Sequence, residues 1–350
     1  MKVTQEFFER LGGAGGKEKL FCKKVFFPPC IKYKGFYIMS KVIIFGGSGW
    51  LGHKIALDLA AHNYDVTVSF RGQKTIFLDK IKYLPAIIGN KREEAFIRSI
   101  FEKQSYDYVI DTAPHVESIE YISKYAKNLK HYIHCSSTGG YAPLPFIPCD
   151  ETAQYGGFEE NSGWAGKAVV DNMVMKLFKE NKFPATVMRP CYINGEDGLV
   201  PLDNLGGRRT DFITDILAEK TLDLPDNGLA LLQPIHIDDL AVSFRLALEH
   251  PVSIGEIYNI TLDHAVTLTR YIELNAEALG KKAHINYIPL EEMCKKYAGE
   301  INDTWLCFFA THMCFTNAKA KRDLEFKPSH TPEESIIANA RATAAQLSGE

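Results

Sequence analysis

One short stretch restricts the fold of this chain more than any other: Phe45-Gly46-Gly47-Ser48-Gly49-Trp50-Leu51-Gly52. It satisfies G-x-G-x-x-G through Gly47, Gly49 and Gly52, and G-x-x-G-x-x-G through Gly46, Gly49 and Gly52. The apolar run Val42-Ile43-Ile44-Phe45 before it reads as a buried strand, and residues 51–62 after it read as a helix. In such a strand–loop–helix unit one glycine makes the tight turn. Another lets backbone approach a pyrophosphate, and a third lets helix and strand pack closely. The pyrophosphate then rests on the positive end of the helix. This predicts a dinucleotide site formed by Gly46, Gly47, Gly49, Trp50, Leu51 and Gly52.

The pattern beyond the loop alternates short apolar runs with helical periods. Strands are predicted over 65–70, 86–88, 108–110, 131–135 and 185–189, with helices over 93–103, 116–128 and 163–181. This alternation implies parallel strands joined by crossover helices, a doubly wound α/β sheet of the Rossmann type. After Arg189 the spacing loosens. Helices are expected over 210–219, 238–249, 267–279 and 331–347, and short strands near 256–260 and 284–288. The organisation expected is an N-terminal extension over 1–38, a dinucleotide-binding domain over 39–190 and a smaller α/β substrate-binding region over 191–350 that returns to the first. Residues 1–38 read either as an appendage or as an arm whose Phe26, Phe27, Phe36 and Tyr37 pack on the body.

Composition narrows the partners. The net charge is −3, so no global basic field is available for nucleic acid, and a nucleic-acid partner is not expected. No apolar run reaches the ~18 residues of a membrane span. The eight cysteines include no C-x-x-C pair and no zinc-type spacing, so no metal is expected and the thiols read as free. With no secretory pattern at the start, a cytoplasmic location follows.

The end of the second strand selects the dinucleotide. NAD sites usually carry Asp or Glu there; this chain has Val68-Ser69-Phe70-Arg71-Gly72. The fork of Arg71 suits a 2′-phosphate, which favours NADP(H), with NAD(H) as the alternative. Asp111-Thr112-Ala113-Pro114 closes the fourth strand, where Thr112 and Ala113 are expected to touch the cofactor through backbone. His115, at a helix start, reads as a cap or as a proton donor.

Together these segments resemble the extended short-chain dehydrogenase/reductase superfamily, the NAD(P)-dependent epimerase/dehydratase family, over about residues 41–345. The resemblance rests on the glycine loop, His134-Cys135-Ser136-Ser137-Thr138, Lys167, Arg189-Pro190, and Ile235-His236-Ile237-Asp238-Asp239-Leu240-Ala241. It implies a Rossmann domain with a variable substrate part, action on a small molecule such as a sugar nucleotide, and a homodimer paired through helices around 117–129 and 163–181. It also implies Ser–Tyr–Lys chemistry, in which tyrosine moves the hydroxyl proton and lysine lowers its pKa and binds ribose while serine polarises the substrate oxygen. Ser136, Ser137 or Thr138 fills the serine role and Lys167 the lysine role. The motif tyrosine is absent, because Gly163 and Trp164 stand four and three residues before Lys167. Tyr141 and Tyr155 are the candidate substitutes. Leu231-Leu232-Gln233-Pro234 occupy the place where sugar-nucleotide epimerases carry an arginine. Arg208 and Arg209 read either as anion ligands or as solvated loop charges. These departures look like the atypical branch that includes the plant chloroplast stem-loop RNA-binding proteins. The leading expectation is an NADP(H)-dependent oxidoreductase or epimerase acting on a hydroxyl or carbonyl carbon. The alternatives are a dinucleotide-binding sensor without hydride chemistry and, behind it, an RNA-binding protein.

Overall fold

The computed structural model describes residues 32–33, 36–37, 39–73, 77–156, 163–197, 199–301 and 303–349. The chain divides into two units, Met1–Ile38 and Met39–Glu350. In the first, β1 (Lys32–Tyr33) and β2 (Phe36–Tyr37) pair antiparallel. The packing expected of Phe26 and Phe27 lies outside the described residues.

The second unit is built on β3 (Lys41–Phe45), α1 (Trp50–Ala61), β4 (Asp65–Phe70), α2 (Leu78–Ile81), β5 (Ala86–Ile88), α3 (Glu94–Lys103), β6 (Tyr108–Asp111), α4 (Val116–Tyr125), β7 (His131–Cys135), α5 (Gly163–Asn181) and β8 (Ala185–Pro190). Strands β5, β4, β3, β6, β7 and β8 pair parallel in that order, and β13 (Ile257–Ile260) adds beside β8. The strand order reverses between β3 and β6, which opens a crevice at their carboxyl ends. Side chains alternate between the faces as the pleat requires. Val42 and Ile44 face Ile55 and Leu59 of α1 and Phe244 of α7 (Ile237–Glu249). Ile43 and Phe45 face Ile97 of α3, Ile119 of α4 and Val174 of α5. Covered on both faces, these strands read as continuous apolar runs, and so the sequence shows them clearly.

The rest is assembled from shorter pieces: β9 (Tyr192–Asn194), α6 (Asp211–Leu217), β10 (Thr221–Pro225), β11 (Leu231–Leu232), β12 (Pro234–His236), β14 (Val266–Thr267), α8 (Leu268–Ala278), β15 (His284–Ile288), α9 (Leu290–Lys296), α10 (Asp303–Phe309), α11 (Ala318–Asp323) and α12 (Pro332–Ser348). Phe212, Leu224, Tyr271 and Ile336 form its core. β9 pairs with β12 and β10 with β15, each in parallel.

Three sequence expectations change here. α4 ends at Tyr125 rather than near 128, because Ala126 N–H closes on Ile122 O and Asn128 takes a left-handed backbone, φ 63°. β10 was not expected, since its partner β15 lies some sixty residues away. The short helices α9 and α10 were not expected either. No described helix is long and apolar enough to cross a membrane.

Candidate functional site

A cavity of about 760 Å³ opens at the carboxyl ends of β3, β4, β6, β7 and β8. The glycine loop forms one wall. Gly46 adopts φ +84°, and a Cβ there would collide with Thr112 Oγ1. At Gly52 a Cβ would collide with the carbonyl of Gly46. Both glycines are therefore required by backbone shape. The loop is held by Gly46 N–H to Ser69 O (2.8 Å) and Gly49 N–H to Gly46 O (3.0 Å). Trp50 and Leu51 line the cavity beside it, and the Trp50 indole donates to Asp197 O at 3.0 Å. Asp197 also accepts from Lys54 (2.7 Å), His53 (3.3 Å) and Lys80. Burial opposes its charge, but the bonds from Lys54 and Lys80 hold its carboxyl well below the usual range.

Arg71 lines the end of the cavity beyond β4, exposed and without a hydrogen-bond or ion-pair partner among the described residues. Thr112 and Ala113 line the wall, but their N–H groups are committed elsewhere. That of Thr112 goes to Phe45 O (3.1 Å), as does its hydroxyl, and that of Ala113 goes to Asp111 Oδ1 (3.1 Å). The backbone contact expected of them therefore brings no free donor. Lys91, which sequence reasoning missed, reaches into the cavity wall from the loop after β5 and binds Asp111 Oδ1 and Ala113 O. Its position just past a strand's carboxyl end was the available signal. His115 starts α4 and also lines the cavity. Burial, followed by the charges of Lys91 and Arg92, lowers its pKa and keeps the imidazole neutral at physiological pH.

Ser136, Ser137, Thr138 and Lys167 all line the same cavity, so the structure brings the predicted serine and lysine candidates together. Ser137 Oγ accepts from Gly139 N–H at 3.1 Å, which leaves its own proton to donate. Thr138 Oγ1 donates to Pro190 O at 3.3 Å. Ser136 Oγ meets the Tyr155 hydroxyl at 3.1 Å. Lys167, on α5, has no hydrogen-bond or ion-pair partner among the described residues. Cys135 lines the cavity too, with its thiol pushed up to about 12 by burial.

Tyr141 and Tyr155 do not reach the cavity, which corrects the expectation that one of them substitutes for the motif tyrosine. Tyr141 is fully buried and its hydroxyl accepts from Arg189 Nη1. Tyr155 donates to Ser137 O at 2.7 Å, and the Arg189 guanidinium lies 3.5 Å from its ring centroid. Burial raises both phenols. Both are held by a buried charge network: Arg189 Nε to Asp171 Oδ2 (2.9 Å) and His134 Nε2 to Asp171 Oδ1 (2.8 Å). Burial opposes the Asp171 charge, but His134 and Arg189 outweigh it and keep the carboxyl below its ordinary pKa.

The far wall is apolar, formed by Leu199, Leu202, Trp305, Phe308 and Met313, with Tyr192 and Arg208 among them. Tyr192 and the α10 residues were missed. Arg208 is half-buried, and its guanidinium donates to Ile193 O (2.8 Å) and Val200 O. Arg209 is the outward partner, paired with Asp203 at 2.7 Å. Off the cavity, His236 and His330 stack 3.7 Å apart with planes 17° from parallel, so their lone pairs do not converge on one ion.

A parallel sheet reversing at a glycine loop, with a cavity across the reversal, defines a Rossmann-type fold. Residues 42–261 match the NAD dependent epimerase/dehydratase family, and the chain belongs to it. A curated relative, the chloroplast stem-loop binding protein of 41 kDa b of Arabidopsis thaliana, is 26% identical over 322 residues, spanning 87% of this chain and 80% of the relative. Among solved structures, an epimerase from Methanothermobacter thermautotrophicus superposes with a TM-score of 0.71 at 15% identity, covering 89% of this chain and 94% of that one. UDP-glucose 4-epimerase of Bifidobacterium longum, solved with NAD+ and UDP, gives 0.68 at 17% identity, covering 88% and 98%. At such identities the likeness is one of fold.

Proposed function

We propose that the cavity binds a nicotinamide dinucleotide, NADP(H) in preference to NAD(H), and that the protein acts on a hydroxyl- or carbonyl-bearing carbon of a small molecule. The observation that carries this reading is one continuous cavity joining the glycine loop to Ser137, Thr138 and Lys167. Gly46, Gly47, Gly49, Trp50, Leu51 and Gly52 cradle the pyrophosphate, and Arg71 takes the 2′-phosphate. When bound, the nicotinamide supplies or accepts hydride. Lys167 holds the nicotinamide ribose and puts positive charge beside the reacting oxygen. Ser137 donates its free proton to that oxygen, with Thr138 behind it. His115, neutral at physiological pH, takes or returns the proton that the missing tyrosine would have moved. Residues 191–350 supply the substrate wall. The reading extends to a cytoplasmic protein that pairs through α4 and α5, where Val169 is exposed.

A second reading, dinucleotide binding without hydride chemistry, is favoured by one observation: Gly163 precedes Lys167 by one turn, and both nearby tyrosines are spent inside the fold. Titration with NADPH, NADP, NADH and NAD, followed by Trp fluorescence, tests the cofactor. A carbonyl panel with NADPH then separates the readings. Turnover lost about 100-fold in Lys167→Ala with unchanged thermal unfolding supports the first. Tight binding with no turnover supports the second, and no nucleotide binding removes both.

A further inference from the structure

We infer that Arg208 and Tyr192 form an oxyanion subsite at the substrate end of the cavity, so that the small molecule handled there carries a phosphate or carboxylate on an apolar body. The inference rests on the reading of the cavity as a dinucleotide and substrate site, and it adds the class of substrate.

The argument starts from the turn that presents Arg208. Asp203 is fully buried and accepts from Leu205 N–H (2.8 Å), Gly207 N–H (3.0 Å) and Arg209 Nε (2.7 Å). Its capacity is spent on its own turn and on the arginine that faces outward. The next arginine back, Arg208, points to the cavity side and has no carboxylate partner among the described residues. Two backbone carbonyls, of Ile193 and Val200, fix its orientation and satisfy two of its five donors, but they do not neutralise it. Burial works against the charge, with only the phenols of Tyr271 and Tyr192 opposing. A guanidinium does not shed its proton to escape that cost. A partly buried charge with no carboxylate partner among the described residues loses part of its hydration, and an anionic ligand offsets that loss.

Tyr192 completes the subsite. It lines the cavity two residues past the end of β8, and its hydroxyl has no hydrogen-bond partner among the described residues. The phenols of Tyr141 and Tyr155, by contrast, are both engaged. The ring of Tyr192 stands edge-on to Phe308 at 6.0 Å, which fixes its direction. A fork and a phenol O–H beside each other match the oxygens of a phosphate or carboxylate. The surrounding Leu199, Leu202 and Met313 offer the rest of the molecule apolar contacts, and Trp305 adds an indole face with a single N–H donor. The dinucleotide does not account for Arg208. Its pyrophosphate belongs at the N-terminus of α1, and a 2′-phosphate belongs at Arg71.

The test uses the full chain with and without NADPH, at constant ionic strength. Binding of phenyl phosphate, benzoate and benzyl alcohol is measured by calorimetry for the wild type, Arg208→Gln, Arg208→Lys and Tyr192→Phe. At least one anion is expected to bind saturably and about tenfold tighter than the alcohol. Arg208→Gln should abolish that margin, Arg208→Lys should lose most of it with the fork gone, and Tyr192→Phe should weaken it about threefold. NADPH affinity should stay within about twofold throughout. Preference for phenyl phosphate identifies a phosphorylated substrate, and preference for benzoate a carboxylic acid. Equal binding of anion and alcohol by the wild type overturns the inference, as does an Arg208→Gln protein that binds like the wild type. Loss of NADPH affinity in Arg208→Gln also overturns it and assigns the arginine to the dinucleotide. If Arg208→Gln does not fold, the anion–alcohol comparison in the wild type and Arg208→Lys still decides. A wild type that binds phenyl phosphate through Arg208 but no nucleotide leaves the subsite standing and removes the dinucleotide reading.

Discussion

Two groups of charged side chains, which meet on one helix at Lys167 and Asp171, are treated in opposite ways. Behind β7 and β8, Asp171 is enclosed by His134 and Arg189, and Arg189 is capped by two aromatic rings. Every charge there has its counterpart. On the cavity side, Lys167, one turn from Asp171 on the same helix, has no counterpart among the described residues, and neither do Arg71 and Arg208. Of the cations that line the cavity, Lys91 and Arg92 are paired with Asp111 and Glu117, whereas Arg71, Lys167 and Arg208 have no carboxylate partner among the described residues. A buried ion pair contributes little net stability, but removing one partner strands the other.

The contrast is broken most directly at Asp171. Asp171→Ala strands the buried Arg189 guanidinium without its carboxylate, and should cost about 3–5 kcal/mol in denaturant unfolding. Because the folded pKa of Asp171 is depressed, its contribution is present above the unfolded carboxylate pKa and is lost as pH falls through the lower folded value. Asp171→Asn should therefore flatten the acid limb of the stability curve, and an unchanged limb would show that the network is not what fails in acid.

A steric change sharpens the same comparison from the open side. Gly52→Val places a side chain against the carbonyl of Gly46 and should weaken NADPH binding about 100-fold, read by fluorescence titration. The smallest effect is expected at Arg71. Arg71→Ala should lower the preference for NADPH over NADH about tenfold, the value of one charge-assisted contact, with no measurable change in unfolding midpoint. A loss of stability there would mean that Arg71 is structural.

The same contrast explains what could be read from the chain. The strand over 65–70 and the helix over 163–181 have the predicted bounds, the strand because its apolar run is local and the helix because it is long and free of proline. The glycine loop was legible because backbone geometry permits no other residue at Gly46 or Gly52. That Ser137 and Lys167 would share one cavity was what the family resemblance implied, and both line it. What was not legible was the direction of side chains set by distant partners. Tyr141 and Tyr155 lie near the site in sequence, yet Arg189 turns both inward. Arg208 sits in a glycine-rich loop and could be read as an anion ligand or as a solvated charge, because nothing local reveals that Asp203 is consumed by Arg209. β10 and α10 carry too few residues for a period and depend on contacts with remote segments.

The attachment of Asp197 to the beginning of α1 has a mechanical consequence. Trp50, His53 and Lys54 of α1 and Lys80 of α2 all hold Asp197, two residues before the far-wall Leu199, so the walls cannot separate without rupturing a cluster of polar and ionic contacts. Added salt loosens such contacts. The residence time of anything enclosed between the walls should then shorten as ionic strength rises, making escape rather than capture the salt-sensitive step.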